Sequence, residues 1–519
     1  MTNRFQGARA EIAILCGLIV LAFAFRLVHL GGPLDEPMWR QADTAYMAYR
    51  MMDESPPDLL RPKAPYRGTN DVKAAEFPIY PATVALAYKA LGRESLPAAR
   101  AVTLLYFFGA LVFAGMSVAL LTDRRTGWHV AAAYALLPQG IFYSRAVHPD
   151  FSIIFFSHLF LYAGLRFFRG ARWNWYGWAV VAATAAFLMK APYCFYFGLP
   201  LAACALAVRS GWTWRNLIAL GFVFVIPLAS ALWFNQHRID LESGFEQSVV
   251  YPWKWTPGNL QGRFFGTLAD RFDPDAWRLL ARRILFSVTG PTGALLAAAG
   301  LWQLYRRGRG WPSNATLLAL FAGFGLYALA MFRMMTRGHD YYSLPLLLPA
   351  AILIGLAIAR FDAPRSPRRL VLALLAWVFV GGGVVAGLQR GPYLHSTNLP
   401  FFSVDWQFVR AAEVIERETR SEELVLVLTH GRSTGPVDPR ILTTAHRRGW
   451  ANQLAWLNPG DVDRYREAGA AVAAVVVTAH PGDKGLAHPH LDLSTAQAFP
   501  LDPPATGAVL LVRFPTDTP

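Results

Sequence analysis

Apolar runs of eighteen or more residues recur along the first three quarters of this chain, separated by short loops. A run that long spans the roughly 30 Å hydrocarbon core of a bilayer as a helix. Hydrocarbon offers no hydrogen-bond partners, so each such run must satisfy its own backbone, which leaves the α-helix as its conformation. Hydrophobic residues make up 54% of the 519 residues and charged residues only 16%. The chain therefore reads as a polytopic membrane protein rather than a soluble one. About eleven spans are expected, near 13–31, 101–121, 128–146, 151–168, 174–189, 191–208, 216–234, 285–304, 314–332, 343–359 and 370–388. The fifth and sixth meet tightly at "MKAPY". The N-terminal run follows basic residues but lacks a small-x-small cleavage site, so it reads as a retained first span.

The net charge of +15 has a topological explanation. With the N-terminus in the cytoplasm, "DRR" at 123–125, "RFFRGAR" at 166–172, "RSGWTWR" at 209–215, "RRGR" at 306–309 and "RFDAPRSPRR" at 360–369 all fall inside. Arginine clusters on one side are what membrane orientation requires, and nucleic acid is not an expected partner. Three segments then lie outside: 32–100, 235–284 and the tail from about 389. In the first, "FPIYPATVALAYKALG" is too short and too interrupted by Pro78 and Pro81 to span, and suits a helix lying in the interface. The Trp-rich stretch 249–266 reads as an interfacial aromatic belt. The tail changes character. "ELVLVLTHG", "AAVAAVVVTAH" and "GAVLLVRF" read as strands between helical patterns. The expected fold is thus an all-α transmembrane domain over 1–390, including outer loops 32–100 and 235–284, followed by a soluble α/β domain over 391–519. Cys16, Cys194 and Cys204 sit in apolar runs, so neither a disulfide framework nor a thiolate metal site is expected.

Charged residues on the outer face need a reason, because desolvated charge is costly. The first outer loop opens with "LDEPMWRQADTAYMAYRM", which carries Asp35, Glu36, Arg40 and Asp43. "YSRAVHPDF" places Arg145, His148 and Asp150 on the same face. Carboxylates and an imidazole at one interface suit a divalent cation or a positioned base. From spacing alone Asp150 reads first as a helix-start acid and His148 as a loop residue. Lys190 in "LMKAPY", with Arg337, His339, Tyr341 and Tyr342 in "RMMTRGHDYYSLPLLLP", adds outer-face cations that positive-inside bias does not explain. A lipid phosphate is their natural partner, and snorkelling to headgroups the plain alternative. In the tail, His430, Arg432, His446, Arg447 and Trp450 read as solvated loop residues. No glycine-rich phosphate loop, zincin motif or nucleophile elbow occurs, which leaves ATP-driven transport and serine hydrolysis without support.

Taken in order, "LDEPMWRQADTAYMAYRMM", "EFPIYPATVALAYKALG", "LPAARAVTLLYFFGALVFAGMSVALL", "YSRAVHPDF" and "GHDYYSLPLLLPAAILIG" resemble the GT-C superfamily of integral-membrane glycosyltransferases. The likeness is to the branch of the protein O-mannosyltransferases and the bacterial lipid A aminoarabinose transferase, with "WRQADTA" similar to one bacterial subgroup. It covers roughly residues 10–390 and is strongest in the first 170. The resemblance implies transfer of a sugar from a polyprenyl-phosphate donor to a glycolipid, polysaccharide or protein acceptor, at the outer face of a bacterial cytoplasmic membrane. The tail would be periplasmic, and many members use a divalent metal. Carried onto this chain, the first-loop acid is Asp43, or the Asp35–Glu36 pair. Asp43 is preferred because it lies inside the matching motif. Asp150, His148 and Asp43 become the metal candidates. Arg145, Lys190, Arg337, His339 and Tyr341 become the donor-phosphate candidates, and Arg40, Gln41 and Glu76 the sugar or acceptor contacts. The chain departs from the aminoarabinose transferase where Phe77 replaces a lysine before the interfacial proline, with Lys73 a few residues upstream. The competing class is a transporter or flippase of lipid-linked sugars. It would favour mid-membrane charges and inverted repeats, whereas these charges cluster at one face.

Overall fold

The structure is a computed structural model that describes residues 16–34, 38–69, 71–73, 75–170, 172–208, 214–243, 258, 261–306, 313–361, 367–390, 403–430, 438–477 and 490–515. The chain divides into two compact units. One is Met1–Leu30 with Arg100–Asn235 and Pro257–Phe402, and the other is Gly31–Ala99 with Gln236–Thr256 and Ser403–Pro519.

The first unit is helical. Five helices are long and apolar enough to cross a membrane: Leu96–Leu121, Asp150–Phe168, Asn216–Leu241, Asp340–Arg360 and Val371–Leu388. The number rises to seven if two bent pairs each count as one span, and Cys16–Arg26 and Asn314–Ala330 are shorter apolar helices. Each of the eleven expected windows contains helix where described, but only five to seven make crossings long and apolar enough for a membrane. Proline and glycine explain the difference. Within 128–146 the helix Arg124–Leu136 stops because Pro138 forces Leu137 into an extended conformation and starts the next helix, Pro138–Tyr143. The pair Asn174–Tyr193 and Phe195–Ala207 bends by 108°, and the pair Pro274–Val288 and Pro291–Arg306 bends by 101°. The second bend falls at Gly290, whose φ of 70° is left-handed.

Large apolar side chains on these helices face outward, among them Leu105 and Val378, each 72% exposed. Surface this greasy belongs against lipid. The inward contacts use small residues, as helices that pack without a hydrophobic drive between them require. A Cβ on Gly300 would sit 1.9 Å from the Leu353 carbonyl oxygen, so only glycine lets helix Pro291–Arg306 approach helix Leu347–Phe361 so closely.

The second unit carries a five-stranded sheet: β1 (Leu424–His430), β2 (Arg448–Gln453), β3 (Ala470–Val477), β4 (Gln497–Pro500) and β5 (Ala508–Arg513), in the order β2-β1-β3-β5-β4. β1 pairs in parallel with β2 and β3, whereas β5 is antiparallel to β3 and β4. "LVLVLTH" is almost wholly buried, as a central parallel strand should be. Two strands escape the sequence reading: "RGWANQ" of β2 lacks a β-branched run, and β4 is a four-residue edge. The amphipathic helix Trp406–Glu418 buries Phe408, Ala411, Ala412 and Ile415 against this core.

The first loop belongs to the same unit. Ala64 and Tyr66 are buried in the sheet's core, and Gly68 N–H donates to the Gly449 carbonyl at 2.8 Å. Gly68 has a φ of 63°, and a Cβ there would lie 2.4 Å from the Trp450 indole. Arg447 and Trp450, expected as solvated loop residues, are buried at 6% and 3% exposure. Arg447 Nη2 donates to the carbonyls of Glu416 and Thr419, tying the helix end to β2. His446 Nε2 lies 2.8 Å from Glu94 and Nδ1 3.3 Å from Glu416. The "FPIYPATVALAYKALG" segment forms helix Ile79–Leu91, whose 13 residues are indeed too few to span. Arg432 and most of 249–266 lie outside the described residues.

Candidate active site

The helix Met38–Met52 sets Asp43 on its buried face, because Met38, Ala42, Ala45 and Tyr46 all point into the same packing. Asp43 is 0% exposed. Lys73 Nζ lies 2.5 Å from Asp43 Oδ2, Arg40 Nη1 donates to the same oxygen at 3.0 Å, and the Tyr66 hydroxyl donates to Oδ1 at 3.5 Å. Arg40 Nη2 reaches on to Glu76 at 2.5 Å. Lys73 is held by a local ladder: its N–H donates to the Pro62 carbonyl at 2.7 Å, next to an antiparallel Lys63–Val72 bridge. Its ammonium sits 5.4 Å from the ring centres of both Trp39 and Tyr66. Burial pulls the Lys73 pKa down and the Asp43 charge partly restores it. Sequence reading gave Lys73 little weight because it lies 30 positions from Asp43; its place three residues before the expected acceptor contact Glu76 was the available signal. Gln41 is buried beside this group. Asp35 and Glu36 lie outside the described residues.

The second acidic segment builds a different cluster, in the first unit. Asp150 opens the helix Asp150–Phe168, but its carboxylate does more than face a helix start. Lys190 Nζ donates to Oδ1 at 3.0 Å, the Tyr193 hydroxyl oxygen lies 3.2 Å from Oδ2, and His148 Nδ1 lies 3.5 Å from Oδ2. Lys190 ends a helix, and Tyr193 closes the 3-10 turn Ala191–Tyr193 that follows it, just before the 108° bend. The ammonium lies 4.0 Å from the Tyr342 ring centre, 4.4 Å from Tyr193 and 4.8 Å from Tyr341. Three rings and one carboxylate thus surround one cation.

The segment "GHDYYSLP" supplies two of the rings and is pinned from several sides. Tyr193 donates to the Tyr341 carbonyl at 2.8 Å, Tyr143 to Asp340 Oδ1 at 2.6 Å, and Gln139 to the Asp340 carbonyl at 2.8 Å. The exposed His339 ring stacks on Tyr341 at 4.9 Å and 8°, and the His148 ring centre lies 4.8 Å from that of Tyr341. Two donor-phosphate candidates lie apart from the cage. Arg145 is fully buried, with Nη2 donating to the His29 carbonyl at 3.4 Å. Arg337 is surface-exposed and pairs with Asp273 at 2.5 Å and Asp270 at 3.8 Å. Its guanidinium holds the Asp273 carboxyl below the usual carboxylate range.

A divalent metal does not fit these donors as they stand. Among the described residues no three His, Cys, Asp or Glu side chains group to hold an ion. The metal candidates divide between the two units, and the carboxylates of Asp43 and Asp150 are already met by lysine.

No protein-family model and no curated protein matches the sequence. The fold does have relatives. The structure is similar to ArnT from Cupriavidus metallidurans bound to undecaprenyl phosphate, with a TM-score of 0.63 and 15% identity over 96% of this chain and 98% of that one. It is similar to the oligosaccharyltransferase AglB from Archaeoglobus fulgidus in complex with an inhibitory peptide and a dolichol-phosphate, with a TM-score of 0.52 and 12% identity over 89% of this chain and 69% of the other. A third likeness is to the mycobacterial arabinofuranosyltransferase AftD, with a TM-score of 0.56 and 16% identity over 96% of this chain but only 39% of that one. The expected resemblance holds at the level of architecture: this chain has the GT-C glycosyltransferase fold.

Proposed function

We propose that this protein is a membrane glycosyltransferase that moves a sugar from a polyprenyl-phosphate carrier to a cell-envelope acceptor at the outer face of the cytoplasmic membrane. The observation that carries the reading is the buried Asp43 carboxylate held against Lys73 and Arg40. A fully desolvated acid beside two cations is costly to maintain for stability alone. It suits a reaction in which a proton is taken and an anion departs.

In this reading Asp43 accepts the proton of the acceptor hydroxyl as that oxygen bonds to the anomeric carbon. The bond from the anomeric carbon to the carrier phosphate breaks, and its electron pair leaves with the phosphate. Lys73 and Arg40 are assigned to that growing negative charge, because cations fixed before the reaction stabilise it without reorganising. Arg40, with Gln41 and Glu76 nearby, is also assigned to the sugar or acceptor. Lys190 is assigned to the anionic donor, with Asp150 and the tyrosine cage orienting it; His148, His339 and Tyr341 frame that cage. Direct displacement inverts the anomeric centre. The fold likeness to a protein bound to undecaprenyl phosphate supports the class of carrier.

The test is mass spectrometry of envelope glycolipids and glycoproteins from a deletion strain and its parent. The expected result is loss of one glycosyl mass increment from a defined acceptor in the deletion strain. Identical envelope spectra would remove the reading.

A further inference from the structure

The first unit contains a second polar cavity, remote from the Lys190 cage. It encloses about 420 Å³ and is lined by Asp123, Arg125, Thr126, Gln303, Arg306 and Arg360. The helical segment Asp340–Arg360, 21 residues long, carries Tyr341 and Tyr342 near one end and Arg360 at the other. At about 1.5 Å per residue the two ends are roughly 30 Å apart, the thickness of the hydrocarbon core. The cavity therefore belongs to the opposite membrane face from the cage.

Its charge is lopsided. Asp123 caps the helix Arg124–Leu136, accepting from Thr126 N–H at 2.9 Å and from the Thr126 hydroxyl at 2.7 Å. The one lining carboxylate is thus engaged by its own helix start. Among the described residues no carboxylate pairs with Arg306 or Arg360. Arg306 is positioned by the Trp302 ring, 4.5 Å below its guanidinium, and Gln303 reaches the Ala357 carbonyl at 3.5 Å, joining the two helices that wall the cavity. Three guanidinium groups against one carboxylate around one hollow make a net positive site. Planar guanidinium groups match phosphate oxygens two at a time.

We infer that this cavity binds a phosphate group at the face opposite the active-site cage. The chemistry fits the headgroup of an anionic phospholipid or a free phosphate, since basic hollows between transmembrane helices recognise such headgroups. Positive-inside bias accounts for arginine in these loops, but it needs only charge. A site needs the fork.

The experiment uses the full-length protein in nanodiscs of phosphatidylcholine, with and without phosphatidylglycerol, and in phosphatidylcholine discs titrated with inorganic phosphate. Thermal midpoints are read for the wild type and for the double variant R306K/R360K, which keeps the positive charge and hence the membrane orientation. The wild type is expected to gain thermal stability from phosphatidylglycerol, from phosphate, or from both. The double variant is expected to need roughly tenfold more of the same probe for the same gain, the loss of one strong contact. A gain with phosphatidylglycerol alone identifies the lipid as the source, and a gain with phosphate alone identifies the free anion. A wild type that responds to neither probe overturns the site. So does a lysine variant that responds as the wild type does, because charge without the fork would then suffice. If the double variant fails to fold, the single variant R360K is read in the same way, and a response equal to the wild type's overturns the site.

Discussion

Lys73 is the residue on which the chemistry of the first loop turns. Replacing it with methionine (Lys73→Met) leaves Asp43 buried with Arg40 and Tyr66 as its remaining partners. The cost is expected to be about 1–3 kcal/mol rather than the larger cost of a fully orphaned charge. Thermal unfolding of the purified variant measures it. On the proposed function, the same substitution is expected to weaken binding of a polyprenyl phosphate roughly tenfold, the loss of one charge-assisted contact. Because burial lowers the Lys73 pKa, its ammonium is lost at a lower pH than that of an exposed lysine. Binding should therefore fall early on the alkaline side, and K73R, which stays charged, should extend it to higher pH. A K73R profile that overlays the wild type would separate Lys73 from the phosphate. Asp43 itself was visible in the "WRQADTA" motif. Its partner was not, because a 30-residue separation closes only through the Lys63–Val72 bridge.

At the scale of elements, the first loop and the tail are joined by backbone contacts that no residue pattern announces. Gly68 against Trp450 is the tightest of them. G68A forces a Cβ into the indole and strains a left-handed backbone, so a loss of about 1–3 kcal/mol is expected. A thermal midpoint equal to the wild type would mean the loop does not need this contact. His446 makes a second joint, and its pKa is raised by the hydrogen bond to Glu94, with Glu416 adding to it. Tyr49 lies beside the ring at 5.3 Å. A raised folded-state value means the joint's stabilisation is fully present below the ordinary histidine pKa and is lost as pH rises through the folded value. H446A should accordingly lower the thermal midpoint more at pH 6 than at pH 9. An equal deficit at both would remove the charge from the explanation. The apolar windows and three of the five strands were legible in the sequence because periodicity and length mark them. The helix break at Leu137 was harder, since a proline inside a greasy run changes direction without changing composition, whereas the break beside "MKAPY" already separated the fifth and sixth windows.

For the whole molecule, the sequence and the fold agree on a membrane protein of GT-C architecture, and each unit holds one buried lysine–carboxylate pair. The order of the motifs carried the fold, even though no family model matches the sequence, because topology persists where identity has fallen to 15%. The assignment of chemistry to Asp43 is tested most directly by complementation. A deletion strain carrying either the wild type or D43N, inserted in the membrane at equal level, is compared by mass spectrometry for the rate at which the glycosylated acceptor appears. Loss of a general base costs about 10²–10⁴-fold, so the D43N strain should match the deletion strain within the assay. Glycosylation at the wild-type rate in the D43N strain would contradict the account.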